Sequence, residues 1–457
     1  MTPLTQDPMT SGKISATQVF DGLINELQCA QQILVGFSGG LDSTVLLNLL
    51  TEVVAAERIT AVHINHGLSS QADQWQEHAQ RQCKALGVAY HGETVKVISA
   101  GGGLEEAARN LRYQVFERLL VEGGILLLGH HQNDQAETVL YRLMRGSGPR
   151  GLAGIPTQRS IGVGKLYRPL LCWPKQNLTD YAHKHKLDFV EDQTNQEEHY
   201  DRNFLRHQVV PALAKRWPDY LKRLNSIAQI SQETDELCRE MAAQDMNVLK
   251  LREERAGASL CLSSLKLLSV ARQRNVLRHW PQRYNRSALN GKIVDQVFRS
   301  VIDARADAAP KVQCKDIEFR RYRQRLYILD SNELASSPPF QRTEVIWSDQ
   351  TLSWSASDIG LTLSRVTGDG LSVLSGQKIS VSYRTGGEVC HPAGRVHSNS
   401  LKKCLQEGGV EPWWRHRVPL IYVDDSLAAV GDLWVCKGWS VGAEEDGIKI
   451  NWLSNSL

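Results

Sequence analysis

The chain has 457 residues, 42% hydrophobic and 23% charged, with a formal net charge of +3. At roughly 100 to 200 residues per domain this length implies about three domains, and the mixture excludes collagenous, disordered and disulfide-scaffold classes. So mild a positive balance does not by itself establish a nucleic-acid partner, and any basic face has to be argued locally.

In chain order, residues 33 to 37 form a short apolar run that reads as a buried strand, followed by the turn Ser38-Gly39-Gly40 and a helix from Asp42 to about Ala56. A second strand is expected near Ile59 to Asn65, then a helix from about Ala72 to Leu86 closed by Gly87. A third strand near Tyr90 to Val97, a helix from Leu104 to about Val121, a strand at Ile125 to Leu128 and a helix from about Asn133 to Arg145 complete the alternation. The pattern predicts an α/β fold, a doubly wound parallel sheet of Rossmann-like type, for residues 1–218. From Gly146 to Pro156 the glycines and prolines predict an irregular, mobile loop. Residues 219–335 read as a mainly helical domain ending in a hairpin over Val312 to Leu329, and Ser331 to about Asp358 as a polar connector. Residues 360–457 read as a small α+β domain with one helix near Ser400 to Glu407.

Nine cysteines, with no C-x-x-C and no tight cluster, suit free thiols in a reducing compartment better than a zinc or iron–sulfur site. Met1 to about Thr17 is polar, and the longest apolar run, Ile125 to Leu128, is far too short for a bilayer, so the expectation is a cytoplasmic protein with no membrane partner.

Ligands of open α/β sheets bind beyond the carboxyl ends of the strands, so the polar residues there carry the functional signal. Ser38-Gly39-Gly40-Leu41-Asp42-Ser43 joins a strand to a helix N-terminus, where glycines admit a close-lying anion and unpaired N–H groups face it. No Walker A pattern occurs, and its nearest fragment, Gly162-Val163-Gly164-Lys165, is followed by Leu166. After the fourth strand, His130, Asp134, Glu137 and Thr138 fall on one side of a helix start; such a set can hold an ammonium group, bind Mg²⁺ or accept a proton. A helix cap or solvated face is the plainer reading for His131 and Gln132. Glu105, Arg109 and Arg112 lie at helical spacing and read equally as an ion pair or as site residues. The stretch Glu191 to Asn195 and Tyr200 to Arg206 has a polar density that suggests function.

The ordered set S-G-G-L-D-S, H-I-N-H-G-L, E-E-A-A-R-N-L-R-Y, G-H-H-Q-N-D-Q-A-E-T, R-G-S-G-P-R-G-L-A-G-I, R-P-L-L and E-D-Q-T-N through Y-D-R-N-F-L-R spans about residues 30 to 215 and resembles the bacterial tRNA(Ile)-lysidine synthetases of the PP-loop ATP pyrophosphatase superfamily. More loosely, Ile317 to Tyr322, Leu401-Lys402-Lys403 and Pro412-Trp413-Trp414 through Leu420 extend the similarity over nearly the whole chain. Asn133 stands where many members have Asp, and Thr194 where Ser is common.

The resemblance implies a ligase that uses ATP to adenylate the first anticodon cytidine of a CAU-anticodon tRNA(Ile), then joins L-lysine to its C2 with release of AMP and pyrophosphate. Ser38, Gly39, Gly40, Leu41, Asp42 and Ser43 would bind ATP, with Mg²⁺ near Asp42. His130, Asp134 and Glu137 would handle the lysine amine, and Arg112, Arg202, Asn203 and Arg206 would meet substrate or phosphate. Arg145, Arg150, Lys402, Lys403, Arg415 and Arg417 would contact tRNA, or lie on a solvated surface; Trp413 and Trp414 fit a small core better than a stacked base. The resemblance also leaves a homodimer open. A tRNA thiolase would need a reactive cysteine pair and an amidotransferase relative an ammonia-supplying cysteine, neither of which stands in this sequence. An RNA-binding module that keeps the nucleotide fold only as a sensor would have no need of both the loop and the acidic pair.

Overall fold

A computed structural model of the chain describes residues 13–67, 69, 71–97, 104–191, 201–255, 257–305, 308–335, 343–348, 353–356 and 360–452. They divide into two compact units, Met1–Leu237 and Cys238–Leu457.

The first unit opens with two short helices, α1 (Ala16–Val19) and α2 (Ile24–Cys29), and then alternates β1 (Ile33–Gly36), α3 (Leu41–Thr51), β2 (Ile59–Asn65), α4 (Ala72–Leu86), β3 (Ala89–Thr94), α5 (Leu104–Leu119), β4 (Ile125–Leu127) and α6 (Gln132–Met144). A short helix, α7 (Pro149–Leu152), a hairpin of β5 (Gln158–Ile161) and β6 (Gly164–Tyr167), and α8 (Lys175–Lys184) follow. The sheet order is β3-β2-β1-β4-β6-β5, parallel except for the β5–β6 hairpin. Leu34, Val62 and Leu126 point to one face, against Phe116 of α5 and Leu120 just past its end. Ile33, Val35 and Leu127 point to the other, against α3 and the N-terminal helices. A strand buried on both faces reads as a continuous apolar run, which is why these strands are legible without alternation. The hairpin was not expected: Gly162 and Val163, part of the Walker-like fragment, are its turn, with Gly162 at φ +50°.

The stretch 146–156 is less loose than its glycines suggest. Arg142 donates to the carbonyls of Gly151 (2.9 Å) and Gly154 (2.6 Å), and the Gln135 amide exchanges two hydrogen bonds with the Ile155 backbone. Side chains of α6 supply the partners that the irregular backbone lacks.

Downstream, α9 (Asp201–Phe204) passes through a π-turn, Leu205–Val209, into α10 (Val210–Arg216), and α11 (Tyr220–Val248) runs for 29 residues. The second unit is less helical than its pattern implied. An antiparallel sheet of β7 (Arg252–Glu254), β8 (Gly257–Cys261), β9 (Lys311–Cys314), β10 (Ile317–Tyr322) and β11 (Arg325–Asp330), in the order β7-β8-β11-β10-β9, packs with α12 (Leu262–Leu267), α13 (Val270–His279) and α14 (Gly291–Val297) around Trp280 and Phe319. After α15 (Ser331–Ala335), the expected polar connector instead supplies two edge strands, β12 (Thr343–Ile346) and β13 (Ser353–Ala356), and buries Trp347. Edge strands need only one apolar face, so a polar composition hides them.

Those strands join β14 (Leu361–Thr367), β15 (Lys378–Ser382), β18 (Leu420–Val423), β19 (Ser426–Val430), β20 (Trp434–Val435) and β21 (Asp446–Trp452) in two small sheets; β16 (Val389–Cys390) and β17 (Asn399–Ser400) pair separately ahead of α16 (Leu401–Glu407). Trp413 and Trp414, 6% and 4% exposed, lie in this core. Among the described residues no helix is long and apolar enough to cross a membrane.

Candidate active site

The strand order reverses at β1: the chain winds outward through β2 and β3, then returns to place β4 on the other side of β1. The loops leaving β1 and β4 therefore open beside each other, where open α/β sheets bind ligands. At Gly129, just past β4, an added Cβ would sit 3.0 Å from the Asp42 carbonyl oxygen, so the two loops touch and a side chain there would part them.

Gly39 adopts φ +80°, a left-handed conformation that glycine takes without strain. Ser43 Oγ donates to the Gly40 carbonyl (3.1 Å) and accepts from the Ser38 N–H (3.2 Å), and Ser38 Oγ accepts from Gly40 N–H (3.3 Å). The Gly39 carbonyl accepts from Val190 N–H at 2.9 Å, pinning the loop from outside. The result is a preformed turn at the N-terminus of α3, with the helix dipole favouring an anion there.

Asp42 sits in the first turn of α3, its side chain 36% exposed. Its Oδ2 lies 3.5 Å from His131 Nε2, while Oδ1 is shut from solvent and has no hydrogen-bond partner. An orphaned carboxylate oxygen beside an anion cradle fits Mg²⁺, which takes one or two carboxylates and completes its shell with phosphate oxygens and water. Among the described residues no group of three or more ligating side chains offers an alternative metal centre.

His131 is the helix cap its sequence position suggested, and more. Its Nδ1 accepts from Asp134 N–H (3.3 Å) while Asp134 Oδ2 accepts from His131 N–H (3.0 Å), a reciprocal capping box at the start of α6. Its Nε2 then faces Asp42, so one imidazole ties the start of α3 to the acidic start of α6. Burial opposes its charge, but the bond to Asp42 and the charge of Asp134 outweigh it and raise its pKa. Sequence reasoning left this residue out of the site because a capping role and a site role look alike until the partner loop is placed.

Asp134 and Glu137 are 13% and 5% exposed at their side chains. Arg206 grips Glu137 in two bonds of 2.8 Å and lies 3.6 Å from Asp134, and Arg202 lies 3.4 Å from both carboxylates. Spaced four apart on continuous helical backbone, the two arginines share a face. The structure thus places Arg202 and Arg206 on the acidic pair, with Asn203 half-buried between them on α9. Burial pushes against ionisation of Asp134, yet the charges of His131 and Arg202, with the hydrogen bond from the His131 N–H, hold its carboxyl below the usual range. His130 is driven the other way: burial first, with Arg168, Arg109 and Arg202 adding to it, lowers its pKa to about 3 despite Asp134, and its Nδ1 is buried without a partner. A neutral imidazole and an ionised carboxylate therefore stand together at neutral pH.

Arg112, exposed on α5, meets His66 Nε2 at 3.2 Å, and burial together with that guanidinium lowers the His66 pKa to about 4. Leu68, Asp192 to Asn195 and Tyr200 lie outside the described residues, and so does the side chain of Glu105.

Three family descriptions match this chain: a PP-loop domain over residues 13–213, the TilS substrate binding domain over 260–327 and the TilS substrate C-terminal domain over 379–452. The tRNA(Ile)-lysidine synthase of Coxiella burnetii is 35% identical over 93% of this chain and 94% of its own length. That of Alkalilimnicola ehrlichii is 39% identical over 90% of this chain and 93% of its own length, and that of Serratia proteamaculans 37% over 94% and 97%. The chain belongs to the tRNA(Ile)-lysidine synthase family. It is an ATP-using ligase built on a PP-loop domain.

Within this tRNA(Ile)-lysidine synthase family member, Asn133 is explained by packing: its Oδ1 accepts from Lys175 N–H at 3.0 Å and caps α8, leaving Asp134 and Glu137 untouched. Arg145 and Arg150 are exposed, Arg145 folding over Tyr141, and Lys402 and Lys403 are exposed on α16. Arg415 and Arg417 differ from these. Arg415 donates to the Val410 carbonyl and to Tyr322 Oη, while Arg417, 8% exposed, donates to the Leu334 carbonyl over the face of Trp414. Both hold the C-terminal core, and sequence could not separate them from surface arginines because burial of a charge depends on carbonyls brought from elsewhere in the chain.

Proposed function

We propose that the chain joins L-lysine to C2 of the first-position anticodon cytidine of CAU-anticodon tRNA(Ile), through an adenylated cytidine, releasing pyrophosphate and then AMP. The observation that supports this most is the meeting, at one switch point, of an anion-cradling loop and a buried carboxylate pair large enough in charge to hold a cation.

In the first half-reaction the cytosine O2 attacks the α-phosphorus of ATP and the α–β bond breaks. The Ser38 to Ser43 loop would hold the departing pyrophosphate through its N–H groups and the helix dipole. Asp42 would carry the Mg²⁺, which when bound neutralises charge on the phosphates. In the second, the lysine side-chain amine attacks C2 and the O2–AMP group leaves. Asp134, held ionised, suits the anchor of the incoming ammonium, and Glu137 the acceptor of the proton the amine loses. His130, held neutral, presents its unpartnered Nδ1 as a hydrogen-bond acceptor. The lysine ammonium would displace Arg202 and Arg206 from the pair and free those guanidiniums for phosphate.

Residues 1–218 are the catalytic domain in this reading; residues 219–335 and 360–457 contact tRNA, with exposed Lys402 and Lys403 on the last and Arg145 and Arg150 on the first. Purified protein incubated with ATP, Mg²⁺, labelled lysine and unmodified CAU-anticodon tRNA(Ile) tests it. Label in tRNA with matching AMP release is expected; AMP release without label would move the reaction to another PP-loop substrate, and neither product would favour a binding module.

A further inference from the structure

Beside the catalytic loops, three arginines converge on one tyrosine. Tyr113 stands half-buried on α5, edge-on to Phe116. Arg109, one turn earlier, lies 5.2 Å from its ring centroid, and Arg159, from β5, lies 4.8 Å from it. Arg168, just past β6 and 2% exposed, donates to Tyr113 Oη (3.2 Å) and to the Pro156 carbonyl (2.7 Å), with its Nε buried and unpartnered. Among the described residues no carboxylate lies within ion-pair distance of any of the three. Burial works against ionisation of the Tyr113 phenol, yet Arg109 and Arg168 overcome it and bring its pKa below the ordinary value.

Arg168 is buried with no carboxylate in reach among the described residues, and such a cation costs stability unless an anion is near, while Arg109 and Arg159 extend its positive field to the surface. Arg109 and Arg159 are exposed, so that anion comes from outside the fold. The cluster borders the reacting groups, since Arg168 and Arg109 both bear on His130, and Arg109 also bears on Arg142, which holds the turn carrying Arg150. The nucleotide phosphates already have a cradle at Ser38 to Ser43. A polynucleotide that delivers one base to His130 brings its own phosphodiesters on either side of that base.

We infer that Arg109 and Arg159, set on the Tyr113 ring and backed by buried Arg168, form a clamp for the RNA backbone phosphate flanking the target cytidine. The inference rests on the proposed function and adds a subsite to it. Arginine suits the role because its planar guanidinium stacks on the ring and still offers edge N–H donors to a phosphate.

The test is the affinity of full-length wild type and the Arg109→Ala/Arg159→Ala double variant for unmodified CAU-anticodon tRNA(Ile) between 50 and 200 mM salt, with the KM for ATP measured alongside. Both substitutions are at exposed positions, so the fold is kept. About tenfold weaker binding, a salt slope shallower by about 1 to 2, and an unchanged ATP KM are expected. Wild-type affinity and slope in the variant would overturn the clamp, as would a raised ATP KM with unchanged tRNA binding, which would make the anion the nucleotide. Wild-type protein that does not bind this tRNA would overturn the proposed function and the clamp together.

Discussion

The arginines of the two units are used differently. In the second unit several are matched by carboxylates, Arg286 with Asp316 and Asp330, Arg272 with Asp245, Arg274 with Asp295, Arg320 with Glu318 and Arg255 with Asp432, and others, such as Arg415 and Arg417, by carbonyls of the fold. In the first, Arg202 and Arg206 crowd two carboxylates that a substrate cation would also want, and Arg109, Arg159 and Arg168 have no carboxylate within reach among the described residues. Charge that is compensated within the fold holds structure; charge left over, or compensated by groups a ligand would displace, is where the proposed function has substrate enter.

The largest expected effect lies at Asp42, where the proposed function places ATP. Asp42→Ala removes the orphaned oxygen and the His131 partner together, and should lower lysidine formation by on the order of 100-fold or more with little change in melting temperature. Comparable activity would show that the loop alone carries the phosphate chemistry. A pH profile sharpens the assignment of the acidic pair. With His130 at about 3 and Asp134 below the usual carboxylate range, neither titrates near neutrality. In the proposed function the lysine ammonium, of ordinary pKa about 10.4, enters with its proton and Glu137 takes it inside the site, so kcat/KM for lysine should stay within about twofold from about pH 6.5 to 8.5. An inflection inside that window that vanishes in His130→Asn would mean the imidazole takes the proton.

From the other side of the comparison, Arg417→Ala should cost roughly 2 kcal/mol, a melting-point drop of about 4 to 8 °C, because a buried guanidinium bonded to the Leu334 carbonyl is lost, whereas Lys402→Ala should leave stability within about 0.5 kcal/mol. Equal melting points would place Arg417 among the surface charges after all. The smallest effect is at Asn133. Replacing it with Ala removes the cap of α8 for about 1 kcal/mol, while Asn133→Asp should be near wild type in both stability and activity, since the accepting oxygen is kept.

Much of this site was legible in the sequence because parallel strands and helix N-termini announce themselves locally: an apolar run, then Ser38 to Ser43; another, then His130 to Glu137. What was not legible depends on distant partners. The β5–β6 hairpin hid behind a glycine pattern, the edge strands β12 and β13 behind polar composition, and the second role of His131 behind a cap. Arg159 carried no motif at all, and Arg168 stood in R-P-L-L with nothing to say that Tyr113 and Arg109 would meet it. Arg415 and Arg417 sat among surface-looking residues until Val410, Tyr322 and Leu334 were placed around them.

In the proposed function two tasks meet at one switch point, where the loop after β1 would serve adenylation and the acidic pair of α6 would serve lysine. The most direct test is a single-turnover experiment on Glu137→Gln with ATP, Mg²⁺, labelled lysine and unmodified CAU-anticodon tRNA(Ile), following pyrophosphate and label together. A tRNA-dependent burst of pyrophosphate near one per enzyme, without label reaching the tRNA, is the predicted result; loss of the burst itself, or label transfer at the wild-type rate, would contradict the division.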